Sequence, residues 1–276
     1  MLVVSGEFCL VSLYDGADAG IVALGNPDLD LACGIVANSR AANALNVGGS
    51  ARIHASPVAA VGGINGGSHY VGDTTLLPYS APIADPFAHV PDPVLPAGCN
   101  TGTLHVTGGT AANPVIIPNG TCYANYDIDG FAQVATGGKI YVNNGQLDLK
   151  GSLSGTNVTL FLMGTDSTWT QNGGGKMSLT APETGAYQGI VVFRDRTAGN
   201  VSNKEIKING GADLFLQGAI YGKSTDFWIG GNADIDAQCI QIVGRKLEFK
   251  GGGSIENNCS GTGASAFEST IVRLVS

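Results

Sequence analysis

Apolar and polar positions alternate in short bursts along this chain, and each burst follows a Gly- or Asn-rich corner. The phrase recurs as Gly48-Gly49-Ser50-Ala51-Arg52-Ile53-His54-Ala55, Asn144-Gly145-Gln146-Leu147-Asp148-Leu149, Gly174-Gly175-Lys176-Met177-Ser178-Leu179, Gly210-Gly211-Ala212-Asp213-Leu214-Phe215-Leu216, Gly231-Asn232-Ala233-Asp234-Ile235-Asp236 and Gly252-Gly253-Ser254-Ile255-Glu256. Period-two alternation marks a strand with one buried face. Recurrence at roughly 20 to 36 residues makes each copy one coil that buries its apolar side by stacking on its neighbours. The pattern predicts an all-β fold, a right-handed single-stranded parallel β-helix (β-solenoid). No segment of ten or more residues has helical periodicity, and a short turn at 41–45 is the one exception in kind.

Punctuation divides the chain into stretches of one structural domain. Residues 1–61 read as N-terminal β coils. Residues 62–98 hold six of the eleven prolines (Pro78, Pro82, Pro86, Pro91, Pro93 and Pro96), and alternation stops there. Proline removes a ladder donor, so this stretch reads as a connector or strap across the surface, with Tyr70, Leu76, Leu77, Tyr79, Phe87 and Val90 to pack it down. Strands resume over 99–260 as the main parallel β-helix, and 261–276 reads as a C-terminal cap strand.

The six cysteines extend this picture. Cys9/Cys33, Cys99/Cys122 and Cys239/Cys259 are separated by 24, 23 and 20 residues, about one coil each. Residues one coil apart lie on adjacent strands about 4.8 Å apart, within disulfide reach. The spacing predicts three sequential disulfides between adjacent coils, each worth about 3 kcal/mol, and an oxidising compartment. A zinc reading lacks support: no Cys-x-x-Cys occurs, and His54, His69, His89 and His105 stand at no ligand-like spacing.

Composition narrows function by exclusion. The 276 residues include 42 glycines, 43% are hydrophobic and only 13% are charged, which argues against disorder. A net charge of −8 is the wrong sign for a nucleic-acid partner. No apolar run reaches 18 residues, so no spanning helix is predicted. Met1-Leu2-Val3-Val4-Ser5-Gly6-Glu7 lacks a basic start and reads as a strand rather than a signal peptide.

Candidate chemistry is sparse. Asp127/Asp129 and Asp234/Asp236 each put two carboxylates on one strand face, as solvated surface, as a calcium site or as paired acids. Phe193-Arg194-Asp195-Arg196 is the densest charge cluster. Arg194, Asp195 and Arg196 are candidate contacts for an anionic glycan or partner, or else a strand-end ion pair fixing the following loop. Trp169 and Trp228 would stack on sugar rings if exposed, or pack the core if not. There is no nucleophile elbow, phosphate loop, dinucleotide fingerprint or His-Glu-x-x-His, so no catalytic residue, cofactor or metal is assigned.

Several segments resemble a known family. Asp85-Pro86-Phe87-Ala88-His89-Val90-Pro91-Asp92-Pro93, Pro96-Ala97-Gly98-Cys99, Ile117-Pro118-Asn119-Gly120-Thr121-Cys122-Tyr123, Val158-Thr159-Leu160-Phe161-Leu162, the run from Leu179-Thr180-Ala181-Pro182 to Phe193-Arg194-Asp195-Arg196, Leu216-Gln217-Gly218-Ala219-Ile220-Tyr221 and Cys239-Ile240-Gln241-Ile242-Val243 are similar to TadG-like proteins of bacterial tight-adherence (Flp) pilus clusters. The resemblance covers about residues 9 to 260. It implies an extracytoplasmic region, periplasmic or at the cell surface, that an upstream transmembrane helix tethers in the full-length protein. It also implies pilus or envelope proteins as partners. The family offers no agreed catalytic residues. The expected function is a non-enzymatic structural or adhesive module associated with a Flp (Tad) pilus or the envelope. The alternatives are a β-helix carbohydrate-active enzyme or a carbohydrate-binding module acting on surface polysaccharide. Convergence of Arg194 or Arg196 with either aspartate pair in one groove would favour the enzyme.

Overall fold

The computed structural model describes residues 2–171, 173–197, 205–209, 211, 213–231, 234–237, 239–257 and 267–273. Among these the chain is all-β. Its one helical element is a 3₁₀ turn at Gly67–His69. The strands pair in parallel almost throughout, and they build three ladders.

In the first ladder the inward residues are Ile140, Leu160, Val192, Ile220, Ile242, Leu10, Ile35 and Val58, each beside the next. The second includes Tyr126, Leu147 and Trp169, then Phe227, Leu247, Ile21 and Leu45. The third runs through Ala132, Leu153, Met177, Leu214, Ile235, Ile255, Leu29 and Ile53. Apart from Tyr126, Trp169 and Met177 these inward residues are aliphatic or Phe, all are at most 1% exposed, and they form one continuous core. Equal residues on successive rungs suit this packing, because like side chains stand one above another about 4.8 Å apart.

One corner shows why glycine recurs. Gly231, Gly251, Gly25 and Gly49 all have positive φ and stand in a column. A Cβ on Gly49 would lie 2.6 Å from the Gly25 carbonyl oxygen, so a side chain there meets both a strained backbone and the coil beneath it.

The order of the rungs departs from chain order. The late strand Ile240–Gly251 is followed in space by Leu2–Ser12 and Ile21–Gly25, with Leu10 beside Ile242 and Ile21 beside Leu247. Ser254–Asn257 is likewise followed by Asp28–Leu31. The N-terminal strands therefore continue the ladders beyond Ile240–Gly251 and Ser254–Asn257. Within the stretch expected to be a C-terminal cap strand, Phe267–Arg273 is a strand that pairs antiparallel with the first half of Leu2–Ser12, and Ser254–Asn257 has Asp28–Leu31 as its next neighbour. With both blocks in one stack, the chain must return from its Leu76–Leu77 end to Cys99 at the other.

Residues 78–98 make that return along the outer side of the first ladder. There the outward residues are apolar too: Cys122, Tyr141, Phe161, Phe193, Tyr221, Val243, Val11, Val36, Ala59 and Leu77 stand on consecutive rungs. They form a second core with Ile83 and Val90 of the strap. Ten rungs span about 43 Å. The 22 residues from Leu77 to Cys99 reach further than this at about 3.1 Å each, leaving slack for a turn at 86–89.

Two of the three expected disulfides are formed, Cys9–Cys33 with Cα atoms 5.8 Å apart and Cys99–Cys122 with 4.8 Å. Cys239 is also disulfide-bonded, and its expected partner Cys259 lies outside the described residues.

Candidate functional site

The Arg194-Asp195-Arg196 run sits where the strand Ile190–Arg194 ends under the strap. Alternation sends Val192 inward and Phe193 outward. Arg194 is 2% exposed and donates to the carbonyl oxygens of Leu162 (3.2 Å), Gly164 and Thr165 (3.0 Å). Burial pulls its guanidinium down to about 10, so it stays charged at neutral pH. Asp195 accepts from the Gly164 amide at 3.1 Å and from the Thr197 amide and hydroxyl. Burial alone would raise this carboxyl, but those hydrogen bonds hold it below the usual range.

Arg196 is the anchor of the strap. Its guanidinium lies 5.0 Å from the ring centres of both Phe193 and Tyr221. It donates to Tyr221 Oη (2.7 Å), the Val90 carbonyl (2.8 Å), Asp92 Oδ1 (2.8 Å) and the Phe87 carbonyl. Tyr221 in turn donates to Asp85 at 2.8 Å, and Phe87 packs edge-on against its ring. Burial pushes the Tyr221 phenol up, keeping it a donor. Further along, the Asn38 amide exchanges two bonds with the Ile83 backbone, at 2.9 and 3.0 Å. Arg194, Asp195 and Arg196 thus direct most of their polar atoms to groups within the molecule, Arg194 and Asp195 to the 162–165 backbone and Arg196 to the strap.

The tryptophans separate. Trp169 is completely buried on the second ladder and cannot meet a sugar. Trp228 stands half-buried on the outward side of the same ladder, between Lys207 and Glu248.

Asp127 belongs to an ion cluster at the far end of that ladder. Lys150 Nζ lies 3.2 Å from Asp127, 3.5 Å from Asp129 and 3.1 Å from Asp148, and His105 Nδ1 is 3.3 Å from Asp127. Asp148, then Asp127, raise the lysine above its ordinary value. Asp234 and Asp236 hold register positions on the third ladder instead. The arginines and the two aspartate pairs are therefore distributed over three ladders.

The third ladder carries what the sequence reading missed. Asp213, Asp234, Ser254, Asp28 and Arg52 follow one another in register, as do Phe215, Asp236, Glu256, Asp30 and His54. Six carboxylate residues thus fall within four rungs. Lys176 meets Asp213 at 2.8 Å at one end, and Arg52 meets Asp28 at 3.7 Å at the other. Asp28, Asp30, Arg52 and His54 floor an open groove of about 330 Å³, with Val71 and Gly72 as its wall. His54 bridges floor and wall: Nδ1 lies 2.9 Å from Asp30 and Nε2 3.2 Å from Asp73. Asp30 first and Asp73 second raise the His54 pKa above its ordinary value. Asp28-Leu29-Asp30 and Arg52-Ile53-His54 stand 24 residues apart, the spacing of Cys9 and Cys33, and that signal could have paired them.

The groove offers paired acids and bases to an amine, a cationic side chain or a hydroxyl-rich chain. Among the described residues no group of three or more His, Cys, Asp and Glu is placed to hold a metal ion, and no helix is long and apolar enough to cross a membrane. The disulfides point to an oxidising, extracytoplasmic environment. Comparison of the chain with protein-family models, curated proteins and solved structures returns no match.

Proposed function

We propose that the three ladders are the faces of one right-handed single-stranded parallel β-helix, and that it serves as a non-enzymatic structural or adhesive module of the cell envelope, associated with a Flp (Tad)-type pilus. Three successive strands supply one rung to each ladder before the next coil begins, and connections between parallel strands of a sheet are right-handed in nearly every known case. The observation that carries the non-enzymatic reading is the scatter of Arg194, Arg196, Asp127/Asp129 and Asp234/Asp236 over three ladders. A lyase or hydrolase needs acid, base and charge stabilisation converging on one bond. What remains open is the second and third faces, long and regular, which suit contact with envelope proteins or surface glycans. The pilus association rests on the family resemblance.

Two assays test this. Purified protein is incubated with acidic polysaccharides, and new reducing ends and unsaturated uronides are scored; none are expected. Turnover that disappears with Asp127→Asn or Asp129→Asn would overturn the non-enzymatic reading. Deleting the gene in its host should impair surface attachment or pilus display, and unimpaired attachment and display would overturn the pilus role.

A further inference from the structure

The two ends of the stack differ. At one, residues 61–80 close over the last coil with irregular backbone. The Tyr79 and Ser80 amides donate to the Gly62 and Ala60 carbonyls, Ile64 and Tyr70 form single bridges to Leu45 and Ile53, and the only strand, Leu76–Leu77, has two residues. Such a surface cannot template another strand.

At the other end the edge is regular and open. Among the described residues Asn100–Val106 pairs only with Thr121–Ile128, and Val115–Ile117 only with Phe131–Val134. Their free sides present unpaired backbone donors and acceptors, the hazard that natural edges blunt with charge, proline or bulges. Here residues 93–126 contain no Asp, Glu, Lys or Arg, in a chain of net charge −8. Exposed large apolar side chains mark the same end: Val115 (40%), Ile116 (54%) and Phe131 (41%) on the first two rungs, with Val94 (83%) on the strap leading to them. The Cys99–Cys122 disulfide fixes the terminal coil to the next, so this edge is preformed and does not pay for ordering on binding.

We propose that this edge is the interface of a symmetric dimer, its occupant a second copy of the chain stacked end to end. Charge selects that partner. Two molecules of net −8 repel over most of their surface, and the outermost residues of this end, 93–126, carry no Asp or Glu to face their copies, while the Asp127 cluster one rung in is partly offset by Lys150. The capped end excludes head-to-tail stacking, so closure is by a two-fold axis. Asn100–Val106 turns the corner between the first and second ladders, and Val115–Ile117 forms the third side. One axis from that corner through the middle of the third side sets each strand antiparallel on its own copy, continuing all three ladders across the junction.

Sedimentation from about 1 to 100 µM should show monomer passing to a two-copy species, with no larger one. The double substitution Val115→Lys, Ile116→Lys should leave a monomer with an unchanged melting temperature, while Tyr79→Lys at the capped end should leave the dimer. Should the lysine variant fail to fold, hydrogen exchange on the native chain decides: amides of 100–106 and 115–117 should gain at least tenfold protection as concentration rises. A native chain that stays monomeric at about 100 µM overturns the proposal. So do oligomers that grow without limit, a dimer that survives the two lysines, or exchange at these amides that ignores concentration.

Discussion

The first and third ladders share backbone geometry, rung spacing and an aliphatic inner row, yet one face is buried and the other open. The difference lies in the outward residue. Tyr141, Phe161, Phe193 and Tyr221 on the first ladder build a column of rings, with centres 4.9 Å apart between Tyr141 and Phe161 and 5.0 Å between Phe193 and Tyr221. That column is too apolar to leave wet, and the strap covers it. At the corresponding positions of the third ladder stand Ser152, Lys176, Asp213 and Asp28, which need no cover. Inward residues make the stack, and outward residues assign each face to structure or to contact.

The sharpest way to break this comparison is to truncate an outward residue to alanine on each face. Phe161 is fully buried between the stack and the strap, so Phe161→Ala should cost about 3–5 kcal/mol by the cavity and transfer terms together. Ser178→Ala, outward and exposed on the third ladder, should change stability by less than about 0.5 kcal/mol. Denaturant unfolding of the two variants measures both. Equal costs would mean that the strap does not seal a second core.

A smaller effect sharpens it. Arg196→Ala removes three hydrogen bonds that tie the strap to the stack and a fourth to Tyr221, and a bond to a charged group is worth about 1.5–3 kcal/mol when its partners are left unpaired. Solvent competes at the Asp92 end, which is more than half exposed, so a net loss of about 2 kcal/mol is expected. Limited proteolysis should then cut between residues 80 and 95 before any cut in the ladders. Cleavage rates equal to those of the native chain would show that packing alone holds the strap.

Much of this fold was legible, for a local reason. Alternation in Gln146-Leu147-Asp148-Leu149 and Asp213-Leu214-Phe215-Leu216 states which residues face inward, and Cys9/Cys33 and Cys99/Cys122 state the length of a coil. The order of the coils was not legible. Any coil offers the same kind of apolar edge, so no residue near Leu10 names Ile242 as its neighbour. The strap, long enough to run back along the whole stack, was the available clue. Arg194 and Trp169 were each left between a contact role and a structural one, and parity decides for the interior: Val192 and Arg194 share parity, as do Trp169 and Gln171. The His54 groove escaped because its parts, Asp28 to Asp73, come from three successive coils, and each alone is an ordinary solvated position.

That groove supplies the smallest effect, on the open face itself. His54 joins Asp30 on the ladder to Asp73 on the covering loop, with Asp28 and Arg52 as the other charged groups facing it. Its folded-state pKa is raised, by Asp30 first, so folding favours the protonated ring. The contribution is therefore complete below the ordinary histidine pKa near 6.5 and fades as pH rises through the higher folded value. Because the site is open to solvent, the global stability should barely move, and the loop should report the loss instead. Amide exchange at 71–74, corrected for the intrinsic pH dependence of exchange, should quicken between about pH 6 and 8, and His54→Gln should remove the trend. Protection that rises with pH, or a trend that persists in His54→Gln, would show that the imidazole does not tie the loop to the ladder.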